Sequence, residues 1–297
     1  MITAPAGREL KAGVPRIPRP RRTGGVLRGL LLAVMGILSM FPLYMMFATS
    51  FKVQTQIFMP NATFFSREFW LFTPTLENYR SVLVDGNFVR YLTNSLIVGV
   101  VSTILTLLLS VLAAYALARF QFMGRGVISW TSLLLRTVPL VVLVVPVFGI
   151  WQSWGISDTL PGLILLYTAV NIPFAIWVLY GFIAQVPPEL EEAAAVDGAS
   201  PFRTFFSVVL PLIRPGLAAA GIFVFRVAWN EFILALVLTN RFSRTMPVEI
   251  AANITDVGVE WGRVMAMGVL IAIPPLLFTL LAARQLIAGL TAGAVKG

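Results

Sequence analysis

The chain has 297 residues, 58% of them hydrophobic and only 12% charged, about half the charged share of a soluble domain. Several apolar runs reach the ~20 residues a bilayer-spanning helix needs, which excludes an ordinary soluble fold and points to a polytopic membrane protein. There are no cysteines and no histidines, so disulfides, Cys/His metal sites and Cys- or His-based catalysis are excluded together.

The net charge of +9 is unevenly placed. Arg8, Lys11, Arg16, Arg19, Arg21 and Arg22 crowd the segment before the first apolar run. That is the bias of a segment held in the cytoplasm, not the footprint of a nucleic-acid partner. Residues 1–26 lack apolar periodicity and read as a disordered basic cytoplasmic arm. The run from Val26 to Ala48 ends in small residues that resemble a cleavage site. It is too long for a signal-peptide core and reads as an uncleaved first span.

Six spans are predicted, at 27–48, 92–118, 127–149, 160–182, 214–238 and 263–284. They make residues 27–284 one transmembrane domain, and an even count returns the tail, 285–297, to the cytoplasm. The loop 119–126 carries Arg119 and Arg125 and is placed inside, while 150–159 has no Lys or Arg and is placed outside. The excursion 49–91 fits this tendency poorly, but long translocated loops obey it weakly. The loop 239–262, with Asp256 and Glu260, also falls outside. Pro42, Pro139, Pro146, Pro173, Pro274 and Pro275 lie within the spans and predict kinks where neighbours satisfy the freed carbonyls.

Between the fourth and fifth spans lies a polar loop, 183–213. Pro187-Pro188 closes one segment and opens a helix whose first turn holds Glu189, Glu191 and Glu192, favourable at the positive end of the helix dipole. Gly198 is the natural stop, since glycine takes the left-handed conformation freely. Ser200 then offers an N-cap and Pro201 an N1 residue for a second helix running toward Pro211. The predicted product is two short helices bent at Asp197-Gly198-Ala199. By local grammar alone, the loop reads equally as a partner-docking helix or as a capped amphipathic turn on the membrane surface.

The longer pattern separates these readings. Glu192, Ala193 and Ala194, then Gly198, Val208, Leu210 and Pro211 resemble the cytoplasmic signature of the membrane subunits of bacterial ABC importers. FPLYMMFATSFK (41–52), TPTLENYR (73–80), the 171–200 segment, AWNEFILALVLT (228–239) and GLTAGAVKG (289–297) resemble the maltose-type second permease of carbohydrate importers. The resemblance implies an all-α, six-span bundle of the type I, MetI-like permease fold in the bacterial inner membrane, with both termini cytoplasmic. It implies a permease pair, a homodimer or more commonly a heterodimer with a sister permease, with two ABC ATPase subunits, an extracytoplasmic solute-binding protein and a sugar or sugar-alcohol solute. The ATPase-coupling residues are then Glu192, Ala193, Ala194, Asp197, Gly198, Leu210 and Pro211, and the tail is expected to reach the ATPases. No cofactor is expected in this chain. Its three lysines, Lys11, Lys52 and Lys296, lack the glycine-rich context of a P-loop, which leaves ATP and Mg to the partner subunits.

Within the spans, Glu231, following Trp229 and Asn230, is the one carboxylate well inside a span, and an intramembrane carboxylate is a functional candidate by default. With Arg136 and Arg226 it reads first as a group that stabilises bundle packing or gating, and second as one that touches solute. Arg226 projects from a different helix face, so the expected ionic partner of Glu231 is Arg136. Asn94, Ser95, Asn171, Trp177, Tyr180, Asn230 and Glu231 are the candidate pathway residues, offering hydrogen bonds and aromatic faces to a sugar. An ion-coupled secondary transporter is the competing reading. One Glu without His makes a poor proton relay, and no catalytic or metal cluster suggests a membrane enzyme.

Overall fold

The computed structural model describes residues 22–59, 66–84, 87–255 and 258–294. Residues 1–21 of the basic arm and residues 295–297 lie outside the described residues, as do the side chains of the tail from 284 onward, and with them the expectation of an ATPase-reaching tail and most of that of a disordered arm; residues 22–26 of the arm are helical instead. The chain divides into two compact units, residues 1–45 and 46–297. Helix α1, Arg22–Ser50, makes up the described part of the first unit and runs on into the second. Its apolar side chains, such as Leu30, Met35 and Leu38, are exposed.

The second unit continues with short helices α2 (Gln54–Ile57), α3 (Arg67–Trp70) and α4 (Glu77–Val84), then the long α5 (Phe88–Arg119). Helices α6 (Arg125–Leu135), α7 (Leu140–Trp154) and α8 (Leu160–Ala184) follow, then α9 (Pro188–Val196) and α10 (Pro201–Thr204). A π-helical stretch, Phe205–Val209, leads into α11 (Leu210–Leu212) and α12 (Arg214–Asn230). The chain closes with α13 (Ile233–Leu238), α14 (Met246–Ala252), a two-stranded antiparallel hairpin of β1 (Ile254–Thr255) and β2 (Gly258–Val259), and α15 (Trp261–Ala294).

Four described helices are long and apolar enough to cross a membrane: Gly25–Ser50 of α1, α5, α8 and Trp261–Ala283 of α15. A fifth crossing is reached if Pro201–Leu212 and Arg214–Asn230, which meet at 73°, form one bent span. The predicted count of six is therefore not reproduced as six helices. The third run, 127–149, is split between α6 and α7, because Pro139 sits extended (φ −62°, ψ 131°) and starts a new helix. A proline also disfavours the helical conformation of the residue before it. The fifth run, 214–238, breaks at Glu231 (φ −66°, ψ 128°). The other intramembrane prolines, Pro42, Pro146, Pro173, Pro274 and Pro275, stay inside continuous helices.

Three apolar clusters hold the second unit together. At the α9 end, Val111, Ala114 and Leu117 of α5 pack with Leu179 and Ile183 of α8 and with Phe205, Val209 and Ile213. A middle cluster joins Val98, Trp151, Leu163, Leu166, Tyr167, Ala228 and Leu234. At the far end, Val82, Phe88 and Tyr91 meet Met246, Ala266 and Met267.

Backbone-directed hydrogen bonds cap the far end. Asn78 donates to the carbonyls of Ser50 and Lys52, each at 2.9 Å, and Tyr79 Oη lies 2.7 Å from Ser50 Oγ. The two family-like stretches 41–52 and 73–80 are thus halves of one joint. Gly262 belongs to it, since a β-carbon there would stand 2.6 Å from the Asn78 amide. Buried Lys52 donates to the Phe69 carbonyl at 2.7 Å and lies over the rings of Phe69 and Phe72. Burial holds its pKa below the ordinary lysine value.

Asp158 closes the turn at 240–243. Its carboxylate accepts from the backbone of Asn240 (2.9 Å) and Ser243 (3.1 Å) and from Ser243 Oγ (2.8 Å). It does so from a left-handed backbone (φ 51°), which aspartate tolerates better than most residues. Burial alone pushes its pKa up, but these bonds outweigh it and hold the carboxyl below its ordinary value. A depressed folded-state pKa contributes stability above the unfolded value, lost as pH falls through the folded one. We therefore expect Asp158→Asn to lower the melting temperature of the detergent-purified protein at pH 7. The difference from wild type should begin to shrink as the pH falls below the ordinary aspartate value of ~3.9 and be lost only below the lower folded-state value, where the native carboxylate protonates too. A difference that stays constant with pH would show that the charge is not what holds the turn.

Candidate functional site

The loop between α8 and α12 folds as its residues dictate. Pro187 and Pro188 end one helix and start α9, with Glu189 and Glu191 in its first turn. At the other end of α9, Gly198 adopts φ +81°. Ala199 N–H donates to the Ala194 carbonyl (2.9 Å) and Gly198 N–H to the Ala195 carbonyl (3.0 Å). This nested pair is the Schellman arrangement that a left-handed glycine permits. Ser200 Oγ then accepts from Arg203 N–H at 3.3 Å, capping α10, with Pro201 at its start.

The π-helical stretch follows where Pro211 has no N–H to return to Ser207. Leu210 and Pro211 are half-buried at the foot of the loop. Leu210 packs against the α9-end cluster, so the last two motif residues seat the loop on the bundle. The 73° turn into α12 comes directly after, at Ile213-Arg214-Pro215.

The two sides of α9 differ. Glu192, Ala193, Ala195, Val196, Asp197 and Gly198 are exposed, Val196 at 88%, and neighbouring Phe202 and Phe206 are open beside them. Glu191 points the other way. Its carboxylate takes Arg119 Nε at 2.6 Å and the Tyr115 hydroxyl at 2.7 Å. The sequence singles out Glu192 for coupling; it gives Glu191 only a place in the first turn and Arg119 only a cytoplasmic position, and it does not point to Tyr115 or to the pairing of the three. The available signal was the expected position of Arg119 at the cytoplasmic end of a span, on the same side as a loop rich in glutamate.

Among the pathway candidates, five are engaged inside the chain, Asn230 through a bond to the Arg226 carbonyl at 2.9 Å. Asn94 donates to the carbonyls of Phe242 and Arg244, both at 3.0 Å, and Ser95 Oγ accepts from Met246 N–H at 2.8 Å. Asn171 bonds back to the Tyr167 carbonyl. Glu231, 8% exposed, accepts from the Tyr167 hydroxyl (2.7 Å), Leu234 N–H (2.8 Å) and Ala235 N–H (3.0 Å). The break in the fifth run is thus capped by the residue that breaks it, and the carboxylate faces the positive end of α13.

The expected pairing of Glu231 with Arg136 is corrected by these bonds. Arg136 instead lies over Phe174 (4.3 Å to the ring centre), Trp177 and Phe223, and Arg226 also lies over Phe223 (5.1 Å). The physical reason is local: the break frees two backbone N–H groups within reach of Glu231, and aromatic faces satisfy both guanidiniums.

Arg136, Arg226, Asn230 and Trp177 (51%) are exposed on one stretch of the bundle, with Tyr180 half-buried. Arg136 follows the 11 residues of α6, about 16 Å from its start at 1.5 Å per residue. Inside a hydrocarbon layer, exposed guanidiniums of this kind are costly against lipid.

Residues 106–290 match the family described as the binding-protein-dependent transport system inner membrane component. The chain belongs to that family. It is a membrane subunit of a transport system, not an enzyme.

The permease is similar over most of its length to curated relatives. It is 40% identical over 228 residues to the trehalose transport system permease protein SugB of Mycobacterium tuberculosis, covering 76% of this chain and 83% of that one. It is 37% identical to the diacetylchitobiose uptake system permease protein DasC of Streptomyces coelicolor (92% and 98% covered). The trehalose/maltose transport system permease protein MalG of Thermococcus litoralis gives the same identity and coverage. Its fold resembles a chain of a bacterial ABC transporter involved in import of the acidic polysaccharide alginate. That match has a TM-score of 0.73 at 21% identity, covering 91% of this chain and 99% of that one. A second match, to the MetNI methionine ABC transporter, has a TM-score of 0.56 at 20% identity, covering 72% and 98%.

Proposed function

We propose that this permease is one of two membrane subunits of an ATP-driven importer for a sugar or sugar alcohol, loaded by an extracytoplasmic binding protein. Two ABC ATPase subunits carry ATP and Mg, and one of them docks on the loop that contains α9. The observation that carries this reading is the two-sided α9. Its Glu191 side is fastened to the bundle, while Glu192, Ala193, Val196 and Asp197 stand open beside the Gly198 bend. A small, exposed, rigidly capped helix is a shape that seats in a cleft of another protein.

The solute class follows the relatives named for trehalose, diacetylchitobiose and maltose. The open face with Trp177, Asn230, Arg136 and Arg226 suits the pathway shared with the sister permease: an aromatic platform with hydrogen-bond donors around it. Tyr180 sits at its edge. Asn94, Ser95, Asn171 and Glu231 act instead as structural anchors. Taking α6 with α7 as one crossing and α12 with α13 as another gives six crossings, with both termini and the α9 loop in the cytoplasm.

Two measurements test the reading. With no native cysteine, Met123→Cys, in the exposed turn after α5, should react with an impermeant maleimide only after cells are opened, and Trp154→Cys in intact cells. Labelling of residue 123 from outside would reverse the orientation. In proteoliposomes with the sister permease and ATPases, uptake of the sugar held by the binding protein should require ATP and survive collapse of ion gradients. Uptake driven by a gradient without ATP would restore the ion-coupled alternative.

A further inference from the structure

The network behind α9 joins three helices at one guanidinium. Arg119 gives Nε to Glu191 at 2.6 Å, and its terminal nitrogen donates to the carbonyls of Ile183 (3.1 Å) and Val186 (2.8 Å) at the end of α8. Tyr115, one turn earlier on α5, gives its hydroxyl to the second Glu191 oxygen at 2.7 Å, and its ring packs 4.9 Å from that of Phe205. Arg119 and Glu191 are only 15% and 14% exposed. Charge-assisted bonds of this kind are short and about twice as strong as neutral ones. The planar fork of arginine fixes its donors in direction, so one guanidinium meets a carboxylate and two carbonyls together.

The chain itself connects α9 only to α8 and α10, so nothing covalent would carry a movement of α9 to α5. Yet α5 is one unbroken helix of 32 residues, about 48 Å long at 1.5 Å per residue. Near its other end, Asn94 and Ser95 hold the backbone of 242–246 through three hydrogen bonds of 2.8–3.0 Å. Both ends of the rod are therefore gripped by partly buried polar bonds, one set pointing at the docking helix and the other at the far-end loop.

We propose that α5 is the link that carries displacement of α9 to the 242–246 loop, with Arg119 and Tyr115 as positioning residues at one end and Asn94 and Ser95 at the other. This rests on the docking role proposed for α9. The test uses the assembled complex with a single reporter, Arg241→Cys, at the exposed residue immediately before that loop. The rate of maleimide labelling is measured with and without ATP plus orthovanadate. The reporter protein should show a nucleotide-dependent change. Arg119→Gln should cut that response about tenfold, the effect of losing one charge-assisted bond, while the ATPases still co-purify and hydrolyse ATP at their basal rate. Tyr115→Phe, which removes only a hydroxyl, should give a smaller cut, and guards against a folding defect in the first variant. If both variants keep the full response, or if both shed the ATPases, the link is wrong and the network serves only stability or assembly. If the reporter protein alone binds no ATPase, the docking reading falls and the link falls with it.

Discussion

Gly198→Val is expected to abolish uptake by the assembled transporter while leaving membrane insertion intact. The glycine sits at φ +81°, and a β-carbon added to it would meet nothing within 4 Å, so steric collision is not the cause of the loss. The cost is conformational. A left-handed backbone costs an L-residue roughly 1–2 kcal/mol, and a β-branched one more. The cheapest relief is to leave that region, which breaks the two nested bonds from Gly198 and Ala199 and redirects the chain from α9 into α10. The exposed docking side would then point elsewhere. Because the cost is set by the backbone, a series at this position should be graded. Asn, which tolerates the left-handed region, should retain most uptake, Ala less and Val least. Uptake and binding-protein-stimulated ATP hydrolysis should fall together. Glu192→Ala should act more mildly, removing one exposed charge and leaving the bend intact. A series in which Val transports as well as Gly would remove the bend from the coupling mechanism.

The difference between what was legible in the sequence and what was not is one of range. The α9 loop was readable because its signals are local: Pro187-Pro188, Gly198 and Ser200-Pro201 act within one turn, and each shapes the backbone as expected. The partners of Glu191, Asn94, Ser95 and Glu231 were not, since the bonds that occupy them mostly span 64 to 151 positions in the chain. Composition identifies such residues as costly in a membrane without saying what satisfies them. The breaks within the third and fifth runs were hidden for a related reason. Hydropathy averages over a window, and an apolar run reads the same whether its helix continues or stops. The breaks at Pro139 and Glu231 depend on single residues, and the second is tolerable only because Tyr167 and α13 face the carboxylate. The fold family was legible throughout, because its motifs include the joints themselves: Asn78 and Tyr79 of one stretch bind Ser50 and Lys52 of another.

Glu231 offers the sharpest test of that account. Glu231→Ala leaves the Tyr167 hydroxyl and the N–H groups of Leu234 and Ala235 without their acceptor. Each buried group left unsatisfied costs about 1–3 kcal/mol. The sum is several kcal/mol, a large share of the stability of any domain. Glu231→Gln keeps the volume but sets an amide donor where one oxygen now accepts, so it should fall between Ala and wild type. Tyr167→Phe removes one donor and leaves the carboxylate bonded to both backbone groups, and it should cost least of the three. The order of melting temperatures in detergent should therefore be wild type, Tyr167→Phe, Glu231→Gln, Glu231→Ala. Arg136 supplies the control. Were it the ionic partner, Arg136→Gln and Glu231→Gln would be strongly non-additive, and exchanging the two charges would rescue. With Arg136 stacked on Phe174 instead, the two changes should add to within about 0.5 kcal/mol. A coupling well above that, or rescue by the exchanged pair, would return Arg136 to Glu231.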